Sequence, residues 1–308
     1  MATAILAAVA TGLALAAAAV APARYRASIA LAALSSALAL AASLAVGSAS
    51  ACVTMAIAAA SFSLLGALAA VRRMVFLAAA TPHTSVFSVA LAVALAGFSA
   101  SSYVAMFLAS LALALGALAL SRKLGTDVST GVVVSLAATG TTLSLYYLAT
   151  RGVSISSLIV GEAPSQLSVS IPIAVASAAI AIYTPLFLHS HLLTSMDEDV
   201  AKLAGVRVWL HDLALAAMFA GIGIATVTSV GFVAQHVLVL VPPAIASSVG
   251  KGCRAGLATS TAIAIASACS GTLIARYLGI APAGAVGAIL VASYALSELG
   301  ARVASHGG

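Results

Sequence analysis

Two histidines, His83 and His236, lie inside long apolar stretches of the sequence. Ionisable side chains within a membrane-spanning segment usually face the interior of a helix bundle or a water-filled path. A neutral imidazole is also a common ligand for transition-metal ions. The alternative is a structural histidine that is hydrogen-bonded to a neighbouring backbone carbonyl. The pair therefore predicts either a route for a metal ion or two buried structural rings.

A run of three acids, Asp197 to Asp199, is the second polar feature and is followed by apolar positions and by Gly205. Acids in the first turn are favoured by the helix dipole, and glycine is a common helix stop. Ser195 or Thr194 is the predicted N-cap. The segment thus predicts a short amphipathic helix in a connection between two longer apolar segments.

Three further polar residues flank this connection. His189 and His191 precede it, and we interpret them as side chains that reach the membrane interface rather than as metal ligands. Asp212 follows it near the start of the next apolar segment, where a carboxylate compensates the helix dipole.

The composition determines the elements that position these residues. The chain has 308 residues, of which 63% are hydrophobic and 6% charged, with a mean hydropathy of +1.20. A soluble domain carries about 25% charged residues. The apolar stretches are continuous and rich in Ala and Leu, so they predict helices rather than alternating barrel strands. We expect an all-α, polytopic membrane protein of about 9–11 transmembrane helices, with spans near residues 3–21, 28–47, 52–71, 74–98, 102–120, 129–149, 168–189, 209–229, 231–249, 255–276 and 283–301.

The basic residues predict the orientation. The chain has 13 Lys and Arg against 7 Asp and Glu, and the basic residues are scattered between apolar segments, which indicates topology rather than binding to nucleic acid. If residues 190–208 are cytoplasmic, only Arg151 and Arg276 fall outside, and the other eleven basic residues (13 minus 2) fall inside. This bias predicts a cytoplasmic C-terminus.

Four sequence blocks, in order along the chain, resemble the permease subunits of metal-type ABC importers, which are related to the vitamin B12 and siderophore permeases. They are VRRMVFLAAATPHTSVFSVALA (71–92), SMDEDVAKLAGV (195–206), VGFVAQHVLVLVPPAIA (230–246) and ARYLGIAPAGAVGAILV (275–291). The resemblance implies a permease core over residues 51–308. Residues 1–50 have no counterpart in the usual family chain and are predicted to form an extra N-terminal transmembrane hairpin.

The resemblance also implies roles for individual residues. In the second block, which holds the predicted coupling helix at 195–206, the residues expected to contact a separate ATPase are Asp197, Glu198, Ala201 and Gly205. The residues assigned to the translocation path are His83, His236, Gln235 and Pro242. Ala79 stands where the family has Asp, so we expect His83 and His236 to hold metal only weakly and transiently. Helix rise from the span ends predicts that they are two successive stations along the path.

The function that follows is that of the transmembrane subunit of a binding-protein-dependent ABC importer for divalent metal ions, zinc or manganese, in a prokaryotic inner membrane. The expected partners are a second copy of the chain, two ATP-binding cassette subunits, an extracellular solute-binding protein and the lipid bilayer. No nucleic acid and no tightly bound cofactor are expected. No GxxxxGK[ST], HExxH or GxSxG motif occurs, so the chain is not expected to be an enzyme, and ATP is expected on the partner subunit. The alternatives are a permease for a metal chelate, such as a siderophore or cobalamin, and a non-transporting scaffold or lipid-processing protein.

Overall fold

The computed structural model describes residues 49–97, 100–153, 161, 167–249 and 252–306. Within these residues the chain forms ten α-helices and no strand, which confirms the predicted all-α class. The predicted hairpin over residues 1–50 lies outside the described residues, except for its last two. The helices are α1 Ala49–Val71, α2 Val75–Ala96, α3 Ala100–Leu124, α4 Thr126–Thr150, α5 Leu167–Met196, α6 Glu198–Leu203, α7 Val208–Thr226, α8 Phe232–Val249, α9 Cys253–Leu278 and α10 Pro282–His306.

Eight of these helices are long and apolar enough to cross a membrane, whereas α6 and α8 are shorter. Helix α1 is the most buried of the spans and packs against α9, α8 and α5. Helix α2 packs against α4, α3, α7 and α8. The helices α3, α4, α5 and α10 leave most of their surface uncovered, so they are available to lipid or to a partner chain.

Small residues allow the central helices to approach closely. Gly66 on α1 lies against the backbone of α8, and a Cβ at this position would overlap the carbonyl oxygen of Val239. Gly271 on α9 lies in the same way against the backbone of Val286 on α10. Glycine at a helix crossing replaces side-chain contact by backbone contact, a common packing mode in membranes. The position of α1 at the centre of the bundle therefore depends on the absence of a side chain at residue 66.

The α1–α2 turn points two adjacent arginines in different directions. The Met74 amide donates to the Ala69 carbonyl (2.7 Å) and closes the end of α1. Arg73 has φ = 55°, the left-handed conformation that usually favours glycine at a helix end. Arg73 is exposed, whereas the side chain of Arg72 is only 5% exposed and reaches into the bundle.

The short helix in the 190–208 connection forms as α6, but the predicted cap is wrong. Helix α5 continues to Met196, and the hydroxyls of Thr194 and Ser195 donate to carbonyls of their own helix. The N-cap of α6 is Asp197, whose carboxylate accepts from the amides of residues 199 (2.8 Å) and 200 (3.0 Å). An acid can cap a helix as well as a hydroxyl can, and here it is the acid that stands next to the break.

The packing at residue 66 yields a stability prediction. Gly66→Ala should lower the yield and the melting temperature of the purified protein, because its Cβ would displace the backbone of α8. Gly116→Ala on α3 is the matched control, since nothing lies within 4 Å of that Cβ and alanine favours a helix by about 0.5–1 kcal/mol over glycine. Equal melting temperatures for the two variants would contradict the close approach of α1 and α8.

The cysteines test the orientation derived from the basic residues. Cys52 and Cys269 are buried in one small cluster, whereas Cys253 is half-buried at the start of α9, on the face assigned to the cytoplasm. A membrane-impermeant maleimide should therefore leave Cys253 unlabelled in intact cells and label it in inverted vesicles. Labelling of Cys253 from outside would show that the orientation is inverted, and Cys253→Ser controls for reaction at the other two thiols.

Candidate translocation path and coupling region

The two histidines predicted to lie on the path form one cluster. The ring centroids of His83 on α2 and His236 on α8 are 4.8 Å apart, with the ring planes at 82°. The ring of Phe232 completes the cluster, 4.9 Å from His83 and 4.6 Å from His236. The prediction of two successive stations is therefore wrong, because one group of three rings contains both imidazoles.

The separation of the two histidines predicted from helix rise is wrong because the turn between α7 and α8 is buried. Val227, Ser229 and Val230 in this turn are buried. Gly161 lies directly against the turn, and a Cβ there would approach the Val230 carbonyl oxygen to 2.6 Å. Because this turn is buried, helix α8 begins inside the protein, so His236 is deeper than a count from a surface loop indicates.

The histidine cluster offers ring nitrogens but no closed metal site. Nδ1 of His236 lies 3.4 Å from the Phe232 carbonyl oxygen of its own helix. Among the described residues, His83 makes ring contacts and no hydrogen bond. No group of three or more His, Cys, Asp or Glu able to hold a metal ion occurs in the described part of the chain. Two imidazoles can contact a passing cation, whereas a structural zinc site needs four ligands.

Gln235 and Pro242, also assigned to the path, face elsewhere. The Gln235 side chain is fully buried, and its Nε2 donates to the Gly223 carbonyl and to the Thr226 hydroxyl on α7, both at 3.0 Å. Pro242 is buried six residues beyond His236, which corresponds to about 9 Å along the helix and about 120° around it. Gln235 therefore links α8 to α7, and Pro242 lies on a different face of α8 from His236.

A charged network lies at the opposite end of α2. Asp212 on α7 accepts from Arg72 at 2.5 Å and from Arg122, at the end of α3, at 2.9 Å. The side chains of Asp212 and Arg72 are 11% and 5% exposed, whereas that of Arg122 is 64% exposed. A charge pair so well shielded from water is a strong, directional contact. The interpretation of Asp212 as a simple dipole cap is therefore wrong.

A chain of hydrogen bonds extends this network into α5. Nη1 of Arg72 lies 3.1 Å from Nδ1 of His191, whose Nε2 lies 3.1 Å from the Tyr183 hydroxyl. That hydroxyl lies 2.7 Å from Nδ1 of His211. A guanidinium only donates, so His191 accepts at Nδ1, donates from Nε2 and is neutral, and Tyr183 donates to His211.

This geometry contradicts the interpretation of His191 as a side chain at the membrane interface and is compatible with that of His189. His191 is fully buried and does not reach the membrane interface, whereas His189 is exposed. No spacing rule would have joined Arg72 to Tyr183 and His191, because Arg72 lies in the α1–α2 turn and the other two lie on α5, more than 100 residues later. One feature of the sequence does indicate the ion pair. Arg72 directly follows an apolar span and Asp212 lies inside another, and charged residues at such positions need partners.

The short helix α6 is a rigid, exposed projection. Of the residues assigned to it, Ala201 is fully buried, and Asp197, Glu198 and Gly205 are exposed. Gly205 has φ = 85°, and the Val206 amide donates to the Ala201 carbonyl (2.9 Å), which closes the helix. The side-chain hydrogen bond to Glu198, together with a second one to Asp199, raises the pKa of Lys202 above its usual value.

Apolar side chains surround this projection and are open to contact. Met196 is 85% exposed, Leu203 is 89% exposed and Trp209 is 61% exposed. Together with α6 they form what we call the coupling surface. Met196 and Trp209 lie at the ends of two candidate spans, and Leu203 lies between those spans. Exposed apolar groups beside charges at such a projection are typical of a contact with another protein.

In the described part of the chain, eight helices long and apolar enough to cross a membrane enclose a polar cluster and carry a projecting coupling surface, an architecture typical of a multi-pass membrane permease. The chain matches the sequence model of the ABC 3 transport family over residues 48–299 and belongs to this family of metal ABC transporter permeases. It is thus a transmembrane transport subunit, and membership of a transporter family does not support the scaffold or lipid-processing alternative.

Solved structures share the fold. One is PsaBC from Streptococcus pneumoniae in complex with Fab, with a TM-score of 0.68 and 17% identity over 80% of this chain and 89% of that chain. Another is an inward-facing conformation of a transporter assigned to the metal-chelate type of ABC transporters, with a TM-score of 0.61 and 18% identity over 81% of this chain and 84% of that chain. A search of curated protein sequences found no significant match.

Proposed function

We propose that this permease carries divalent transition-metal ions, zinc or manganese, along a path that passes His83 and His236. The observation that carries the proposal is the pair of imidazoles, 4.8 Å apart between ring centroids, inside the membrane bundle of a metal ABC permease. Imidazole nitrogen is a good ligand for transition metals, whereas calcium and magnesium prefer oxygen. The pair therefore favours transition metals over the harder cations.

A weak site suits transport. A passing ion must bind well enough to enter and loosely enough to leave. The cluster supplies two imidazoles, and Phe232 contributes an aromatic edge instead of a third ligand. Ala79, one helical turn before His83, adds no ligand. We therefore expect brief contacts with the ion rather than a stable complex.

The proposed assembly has two copies of this chain around a central path. Two ATP-binding cassette subunits contact the coupling surface and hydrolyse ATP, and a solute-binding protein delivers the ion on the outer side. The coupling surface supports this arrangement because it combines a fixed helix with exposed apolar groups. The positive-inside bias supports a cytoplasmic C-terminus and a prokaryotic inner membrane as the location.

The path is tested by replacing the imidazoles. His83→Ala and His236→Ala should each lower metal uptake at least about tenfold, which corresponds to loss of about 1.4 kcal/mol of binding free energy. Yield and melting temperature should change little, because neither ring satisfies a buried charge. His189→Ala is the control, since this imidazole is exposed.

Loss of yield in step with loss of uptake would mean that the rings are structural. Titration of the purified permease with zinc or manganese should show no high-affinity binding. A nanomolar site that depends on His83 would contradict the proposed transient contact.

The coupling surface is tested at both ends of α6. Asp197→Lys removes the N-cap, and Gly205→Leu forces a side chain into a left-handed conformation that costs about 1–2 kcal/mol. Both should reduce stimulation of the ATPase by the solute-binding protein without loss of membrane insertion, because α6 lies outside the spans. Asp127→Lys, which changes an exposed acid in the first turn of α4, should behave as wild type. Normal stimulation in both α6 variants would contradict the assignment of this surface to the ATPase.

A further inference from the structure

A single guanidinium holds both helices that flank α6. From the α1–α2 turn, Arg72 contacts His191 on α5, the helix that leads into α6. The same side chain contacts Asp212 on α7, the helix that leaves α6. His191 lies six residues before Asp197, and Asp212 lies four residues after the start of α7. A displacement of α6 would therefore act on this network from both sides.

Helix α7 also connects this network to the histidine cluster. At its inner end, Asp212 holds Arg72, which leads directly into α2, and His83 lies about 12 Å along α2. At its outer end, Gly223 and Thr226 accept from Gln235, which precedes His236 on α8. Near one end α7 is thus bonded to the turn that leads into α2, and near the other end it is bonded to α8.

We propose that Asp212 and Arg72 are positioning residues that transmit movement of α6 through α7 to the His83–His236 pair. The inference rests on the proposed function. Asp212 and Arg72 are shielded from water, so their contact resists separation and moves as a unit. Arg122 makes a second contact with Asp212, but its exposed side chain is screened by solvent and holds less firmly.

A network with only a structural role would have the same geometry. The test must therefore distinguish loss of stability from loss of coupling between α6 and the His83–His236 pair. Removing one partner would leave a buried charge unpaired and could unfold the protein. Replacing both partners by apolar residues of similar size removes the charge pair without that penalty. The double variant Arg72→Met/Asp212→Leu meets this condition.

The experiment uses the full chain with its ATPase and solute-binding protein in proteoliposomes, and measures metal ions taken up per ATP hydrolysed. For Arg72→Met/Asp212→Leu we expect this ratio to fall at least about tenfold, within the range typical of coupling between sites. Basal ATP hydrolysis, measured without the solute-binding protein, and melting temperature should stay near wild type. The control is Ser63→Ala/Ser260→Ala, which removes a buried contact of 2.5 Å between α1 and α9 that is not connected to α6.

A wild-type ratio in the folded double variant would overturn the inference. If that variant does not accumulate, Arg72→Lys decides, because lysine keeps the buried positive charge but has one nitrogen and cannot replace the two separate contacts with His191 and Asp212. It should lower the ratio about threefold at normal yield, a small coupling effect, and an unchanged ratio would again overturn the inference.

If the proposed substrate is wrong, measurements on the same vesicles give a different result. Stimulation of ATP hydrolysis by the solute-binding protein is measured in the same vesicles and does not require that the carried solute be known. Wild-type protein with normal stimulation and no uptake of zinc or manganese refutes the proposed substrate. In that case, loss of stimulation in the double variant alone supports the inference, and retained stimulation refutes it.

Discussion

The hydrocarbon interior of a membrane offers no hydrogen-bond partner, and this constraint determines the architecture. Every backbone amide must be satisfied within the protein, so the described chain is helical wherever it crosses. Several buried hydroxyls follow the same rule, although those of Ser85, Ser88, Ser110 and Thr259 have no partner among the described residues. The hydroxyls of Thr81, Thr184 and Thr226 each donate to the carbonyl one turn earlier in their own helix. Polar groups that cannot be satisfied in this way must meet across helices, which concentrates them in a few places.

Two such groups of polar side chains, the network around Asp212 and the histidine cluster, differ in a way that suits their proposed roles. The network around Asp212 pairs opposite charges and has a defined direction for each donated proton, so it resists deformation. The cluster of His83, His236 and Phe232 carries no opposing charge and leaves ring nitrogens without protein partners among the described residues. A satisfied network can transmit movement, whereas unsatisfied nitrogens can exchange ligands. Helix α7 contributes to the first and is bonded to the turn that leads into α2 and to α8, the two helices that carry the imidazoles being α2 and α8.

The sequence predicts the helices well and their contacts poorly. Continuous apolar runs fix the helical class and most spans, because length and hydropathy alone decide what can cross a bilayer. The same runs carry little information about depth, so a count from the span ends treats the buried turn before Phe232 as a surface loop and places His236 too far from His83. The acids at 197–199 predict a helix, but not that α5 continues to Met196. The contact of Arg72 with Asp212 depends on tertiary packing across 140 residues, which no local pattern reports.

The most direct test of the account is ATP-driven metal uptake by the reconstituted transporter. Wild-type permease with its ATPase and solute-binding protein is placed in vesicles, and entry of zinc and of manganese is measured with and without ATP, beside a siderophore chelate and cobalamin. We expect saturable, ATP-dependent uptake of at least one free transition-metal ion and of none of the chelates. Uptake of a chelate alone, or of no solute while the ATPase is active, would contradict this expectation.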